Sequence, residues 1–233
     1  MPVYRLPETV HFPPVADADP SGLLAFGGDL SPARLLVAYR AGIFPWYADG
    51  EPILWWSPDP RFVLFPDELR VSRSMRQFLK KGLVRITFDR AFREVVSACR
   101  RPRPGQEGTW ITPEMREAYC TLHSLGYAHS VEAWQGNLLA GGLYGVSLGR
   151  IFFGESMFSA VPNASKAALI TLTAQLKKRE FDLIDCQIAT AHLAALGARP
   201  LPRRVFCDLL KQSLAHESLR GNWGEWPAEI ESA

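Results

Sequence analysis

The chain has 233 residues, with 26 Lys plus Arg against 24 Asp plus Glu, 47% hydrophobic and 21% charged. That is long enough for one large domain with a smaller lobe and too apolar for intrinsic disorder, and no apolar run of about 18 residues could span a bilayer. The opening Met-Pro-Val-Tyr-Arg-Leu-Pro-Glu has neither the apolar stretch nor the cleavage site of a secretory signal, so a cytoplasmic chain is expected. Cys99, Cys120, Cys186 and Cys207 are scattered with no C-x-x-C pair, and read as reduced packing residues.

A first helix is signalled by Ser31 as N-cap, Pro32 at its first position, the apolar set Leu35, Leu36, Ala38 and Tyr39, and Gly42 as its stop. It lies in a Pro- and Trp-rich block, residues 1–66, that reads as a small N-terminal lobe. A second helix should run from Ser72 to Gly82, a strand from Val84 to Phe88 and a third helix from Asp89 to Arg100, before the loop Arg101 to Gly108 breaks the pattern. Thr112-Pro113 starts a fourth helix with Met115, Ala118, Tyr119 and Leu122 on one face and Gly126 after it. Strands come next at Ser130 to Gln135, Leu138 to Leu148 and Ile151 to Phe158, joined by the hairpin turns Gly136-Asn137 and Gly149-Arg150. A helix from about Asn163 to Arg179, a short strand Leu183 to Gln187 and a helix Pro202 to Leu214 complete an α+β layout over residues 67–233.

Charge is unevenly spread. Between Arg61 and Arg103 there are twelve basic against four acidic residues, whereas from His216 onward one Arg faces Glu217, Glu225, Glu229 and Glu231. The basic stretch suits either a polyanion partner or the wet face of an amphipathic helix.

Several constellations bear on chemistry. Gly154-Glu155-Ser156 lacks the second Gly of a nucleophile elbow and lies within a β-run, which argues against a serine nucleophile. Gly141-Gly142-Leu143-Tyr144-Gly145 fits no phosphate-binding pattern, so its glycines mark a bulge or a close approach. His123, His129 and His192 lack ligands at metal spacing, and no metal is expected. Alternation along Leu183 to Gln187 puts Asp185 and Gln187 on one side, away from Ile184 and Cys186. Polar groups at the tip of an apolar strand serve either a turn or a reaction. Aromatic loops at Phe44 to Tyr47, Trp55-Trp56 and Trp110 suit an apolar pocket, base stacking or simple core filling.

Gly27-Gly-Asp-Leu30, Gly42-Ile-Phe-Pro-Trp46, Trp55-Trp-Ser-Pro-Asp-Pro-Arg61, Gly108-Thr-Trp-Ile-Thr112, Gly154-Glu-Ser-Met-Phe-Ser159, Asn163-Ala-Ser-Lys166 and Ile184-Asp-Cys-Gln187 occur in that order. Together, over about residues 20 to 210, they closely resemble the leucyl/phenylalanyl-tRNA–protein transferase family. The resemblance implies an aminoacyltransferase that moves Leu or Phe, and Met more weakly, from aminoacyl-tRNA onto proteins with N-terminal Arg or Lys. Such a product is a degradation signal in the bacterial N-end rule pathway. It further implies a GNAT-like C-terminal domain, residues 67–233, with a sheet flanked by helices and the smaller α/β lobe, residues 1–66, packed against it. Glu155, Asp185 and Gln187 would surround the reacting centre, and Trp46, Trp110, Leu143 and Phe152 would line the donor side-chain pocket. Leu143 stands where the family pattern has Met, a volume-conserving change. No pyrophosphate-gripping loop of a coenzyme-A enzyme comes after Met157, in keeping with a tRNA donor. No cofactor is expected, and the protein should act as a monomer away from membranes. A non-catalytic RNA-binding module and a coenzyme-A-dependent acyltransferase are the alternatives.

Overall fold

The computed structural model describes residues 3–101 and 111–228. Its N-terminal part pairs short strands β1 (Tyr4–Arg5), β2 (Leu23–Phe26), β3 (Phe44–Pro45) and β4 (Leu54–Trp56) in the order β1-β2-β4-β3, with helix α1 (Pro32–Arg40) between β2 and β3. Helix α1 begins as its sequence dictates: the Ser31 hydroxyl accepts the Arg34 N–H, and Leu35, Ala38 and Tyr39 are buried.

The larger sheet starts earlier than residue 67. Strand β5 (Arg61–Leu64) pairs antiparallel with β10 (Leu183–Gln187) on one side and with β11 (Arg199–Leu201) on the other. The remaining strands are β6 (Arg85–Phe88), β7 (Ala128–Gln135), β8 (Leu138–Leu148) and β9 (Ile151–Ser159), and the sheet order is β11-β5-β10-β9-β8-β7-β6. Strands β7 to β9 form the expected meander, β6 adds to it antiparallel at the edge beside β7, and β9 and β10 are parallel, joined by helix α5 (Ala164–Lys178). This is a mixed sheet with helices on both faces.

On one face pack α5, Met75 of helix α2 (Arg73–Lys80) and Trp223. On the other pack α3 (Phe92–Cys99), α4 (Pro113–Ser124) and α7 (Arg203–Ser213), together with the buried side chains of α1 and of the four-stranded sheet. The second core is therefore continuous from one sheet to the other. The remaining helix, α6 (Ala191–Ala195), and strand β11 lie in the segment whose sequence signals only a turn.

One expected helix start moves. Helix α3 begins at Phe92 because the Asp89 carboxylate caps nothing: it accepts the His129 Nδ1–H and the backbone N–H groups of Ser130 and Trp223, with Asp89 itself at φ 53°. The loop over residues 102–108 lies outside the described residues.

Candidate active site

Two β-bulges shape the centre of the site. In β9, Tyr144 pairs with Ser156 and Gly145 with Gly154, so Glu155 is the extra residue; in β10, Asp185 pairs with Val63 and Gln187 with Phe62, so Cys186 is extra. A bulge inserts one residue, reverses the facing of the rest of the strand and re-aims a side chain. Beyond Glu155 the parity of β9 changes accordingly: Phe153 packs in the core shared with α4, while Met157 packs toward α5. Gln187 takes φ 63°, a left-handed conformation that L residues avoid.

These distortions bring the three polar residues together. Gln187 donates from Nε2 to Glu155 Oε1 at 2.8 Å, and its backbone N–H donates to Asp185 Oδ1 at 2.9 Å. The Tyr119 hydroxyl donates to Glu155 Oε2 at 2.6 Å and shares a second hydrogen bond of 2.6 Å with the Tyr39 hydroxyl. Asp185 is fully buried and held by Arg61, which donates from Nε to Oδ1 at 2.8 Å and from Nη2 to Oδ2 at 2.6 Å. One hydrogen-bonded chain thus runs Arg61, Asp185, Gln187, Glu155, Tyr119, Tyr39.

Burial sets the electrostatics. It pushes the Glu155 carboxyl up to about 7, against the opposing pull of its hydrogen bonds from Tyr119, Tyr39 and Gln187, with the Asp185 charge adding to the rise. Burial likewise raises the Tyr119 and Tyr39 phenols and the Cys186 thiol, so these stay neutral. Asp185 has a guanidinium on both oxygens. The two carboxylates therefore differ in kind: Asp185 is tied to a guanidinium through both oxygens, whereas Glu155 exchanges its proton near neutrality.

The expected pocket residues are placed less uniformly. Leu143 of β8 and Phe152 of β9 are both buried in the core beneath α5. Gly145 permits this packing: a Cβ there would lie 2.6 Å from the Phe152 ring and 2.2 Å from the Phe153 carbonyl. Trp46 belongs to the other sheet, where its ring packs 5.7 Å from that of Trp56, and it is 40% exposed. Leu143 and Phe152 belong to the core beneath α5, whereas Trp46 belongs to neither buried core, and Trp110 lies outside the described residues. Of the remaining aromatics, Trp55 is core filling: it is fully buried, donates Nε1–H to the Gly27 carbonyl and meets Phe12 edge to face.

Arg61 is the residue that sequence reasoning misplaced. It opens the basic stretch read as facing a polyanion, yet it is fully buried and engaged throughout, so it contacts no phosphate. The basic residues of α2, Arg73, Arg76 and Lys80, with Lys81 after them, are exposed on a helix whose buried residue is Met75, an arrangement common to a phosphate-holding face and a solvated one. Farther along, Lys177 pairs with Asp67 at 2.7 Å and Arg179 stacks 3.8 Å over Trp226. His123 donates to the Ala128 carbonyl and His129 to Asp89, as structural histidines do. No cluster of three potential metal ligands occurs among the described residues.

A family model described as leucyl/phenylalanyl-tRNA protein transferase matches residues 63–211, and one for the N-terminal domain of the same family matches residues 28–59. A leucyl/phenylalanyl-tRNA–protein transferase of Syntrophus aciditrophicus (strain SB) is 62% identical, covering 97% of this chain and 95% of that protein. Proteins of the same name from Anaeromyxobacter sp. (strain Fw109-5) and Myxococcus xanthus (strain DK1622) are 57% and 55% identical, each covering 98% of this chain and 99% of theirs. A solved chain, the structure of L-PGS from Bacillus licheniformis, is 12% identical with a TM-score of 0.38, covering 74% of this chain and 57% of that one, too distant to carry an argument.

Proposed function

Because the chain belongs to the leucyl/phenylalanyl-tRNA–protein transferase family and is an aminoacyltransferase, we propose that it moves Leu or Phe, and Met more weakly, from aminoacyl-tRNA to the α-amine of proteins with N-terminal Arg or Lys. The product is a degradation signal of the bacterial N-end rule type. A tRNA donor and a protein acceptor put the reaction in the cytoplasm, with the enzyme acting as a monomer. The seven-stranded sheet with its helices, which takes in β5 from Arg61 onward, forms a GNAT-like catalytic domain, and the part before it a lobe that contributes Trp46 to the donor pocket.

The observation that carries the reading is the pairing of Gln187 with Glu155 at 2.8 Å, next to the buried Asp185. An aminoacyl ester is already activated, so the enzyme must chiefly hold amine and ester carbonyl in attack geometry. With its Nε2 committed to Glu155, Gln187 offers its carboxamide oxygen to an N–H of the attacking amine. The amine nitrogen forms the new C–N bond, the ester C–O bond breaks, and the tRNA ribose hydroxyl leaves with a proton. Glu155, poised at about 7, is the carboxylate suited to take the amine's proton and pass it on. Asp185, occupied on both oxygens, fixes the Gln187 backbone. Trp46, Trp110, Leu143 and Phe152 sort the donor side chain by shape. The cations of α2 hold tRNA phosphates without reading sequence.

The test measures both products at once: release of deacylated tRNA from Leu-tRNA, and transfer of labelled Leu to a peptide starting with Arg. The reading requires equal amounts of each. Retention of tRNA without turnover would make the chain an RNA-binding module, and transfer only from a coenzyme A thioester would make it an ordinary acyltransferase.

A further inference from the structure

We propose that Arg61 is a positioning residue that holds the acceptor side and the donor side of the site at a fixed separation; this builds on the reading of Gln187 as the group that faces the amine. Every face of the guanidinium is used. Its Nε and Nη2 hold the two oxygens of Asp185 in parallel, while Nη1 donates to the Gly42 carbonyl at 3.1 Å. The planar faces are covered by the rings of Phe44 and Phe206, 4.8 and 4.7 Å from the guanidinium carbon. Only a planar fork supplies three donors in these directions, so Lys is not an equivalent here.

The partners of that fork lie on different parts of the molecule. Through Asp185 Oδ1, which also accepts the Gln187 N–H, Arg61 supports a left-handed residue at the tip of β10. Through Gly42 and Phe44 it grips the segment that leads to Trp46 in the four-stranded sheet. Gly42 leaves space only for a glycine: at φ 74°, a Cβ on it would sit 3.0 Å from Phe206 Cε1. Phe206 thus closes on Arg61 and Gly42 together. A buried ion pair contributes little net stability over an apolar replacement of both partners, so the arrangement is better explained by the geometry it imposes.

The experiment compares R61K, Q187A and R61K/Q187A in single-turnover transfer of Leu to an Arg-initiated peptide, with thermal melting of each. R61K keeps the charge but cannot make the parallel pair and the Gly42 contact together. It should lower kcat about 100-fold, the scale of a small misplacement of reacting groups, with KM for Leu-tRNA within about threefold. Its preference for Leu over Val donors should narrow. R61K/Q187A should lose less than the product of the two single losses, because the acceptor-side part of the Arg61 effect passes through Gln187. Normal kcat per folded R61K molecule, or losses that multiply in the double variant, would overturn the proposal. If R61K does not fold, F206L keeps the ion pair and removes one covering ring; a severalfold loss of kcat is expected, and unchanged kcat overturns the proposal. Q187A with wild-type kcat would instead refute the reading of the reacting centre itself.

Discussion

Gln187 reaches Glu155 across the parallel strands β10 and β9, Nε2 to Oε1 at 2.8 Å, and each of these residues owes its aim to a β-bulge. The same contact orients the carboxamide, leaving its oxygen as the acceptor for an incoming amine, and sets a carboxyl that titrates near neutrality one hydrogen bond away from it.

Glu155→Gln is isosteric and removes the proton acceptor. It should lower kcat by about 10² to 10⁴ with little change in KM for aminoacyl-tRNA. In the wild type, kcat should rise with pH through about 7, as Glu155 loses its proton, and in the variant only the later rise from deprotonation of the acceptor amine, at about 7.7 to 8.0, should remain. Steady-state rates across roughly two pH units centred on that value check both.

The same group makes stability depend on pH. Its folded value, about 7, lies above the ordinary 4.5, so the fold prefers the protonated form. The Glu155 contribution is fully present below the ordinary value, is lost as pH rises through the folded value, and levels off above it, a span on the order of 3 kcal/mol. Melting of wild type and Glu155→Gln across that window should show a downward slope with pH in the first that is missing from the second.

Asp185→Asn leaves the Arg61 guanidinium buried beside a neutral partner. The expected cost is about 3 to 5 kcal/mol of stability, because removing one partner of a buried pair strands the other. Turnover per folded molecule should also fall, and raising the pH to deprotonate the acceptor should not restore it, since the residue positions Gln187 and takes no proton. Chemical denaturation alongside kinetics at neutral and alkaline pH measures the two effects.

Replacing Lys80 and Lys81 together by Ala should flatten the dependence of log Kd for tRNA on log salt by roughly 0.7 to 0.9 per lost phosphate contact. kcat at saturating tRNA should stay near wild type. An unchanged slope would move the phosphate contacts off α2.

Period-two alternation already sets Asp185 apart from Ile184 and Cys186, although a bulge and not alternation aims Gln187, and the caps and stops of α1, α2, α4 and the meander turns stand in the residues themselves. The partner of Asp185 does not. Arg61 lies 124 positions away, at the head of a four-residue strand too short to show a period, and locally it reads as one more cation in a basic run. The bulge at Glu155 is silent in its own strand, because Phe152-Phe153-Gly154-Glu155 looks like regular strand, and it shows only in the facing Gly141 to Gly145 run, whose glycines read as a bulge or a close approach. Nor does composition tell buried Trp55 from exposed Trp46, since both stand in aromatic loops and differ only in how the fold covers them.

The most direct measurement is the single-turnover rate of labelled Leu transfer from Leu-tRNA to an Arg-initiated peptide by wild type and by Gln187→Ala, with the folded fraction of each determined. The account predicts peptide labelling by the wild type matched by tRNA release, and a rate at least about 100-fold lower in Gln187→Ala with tRNA binding retained. Equal rates in the two proteins, or release of tRNA without labelled peptide, would contradict it.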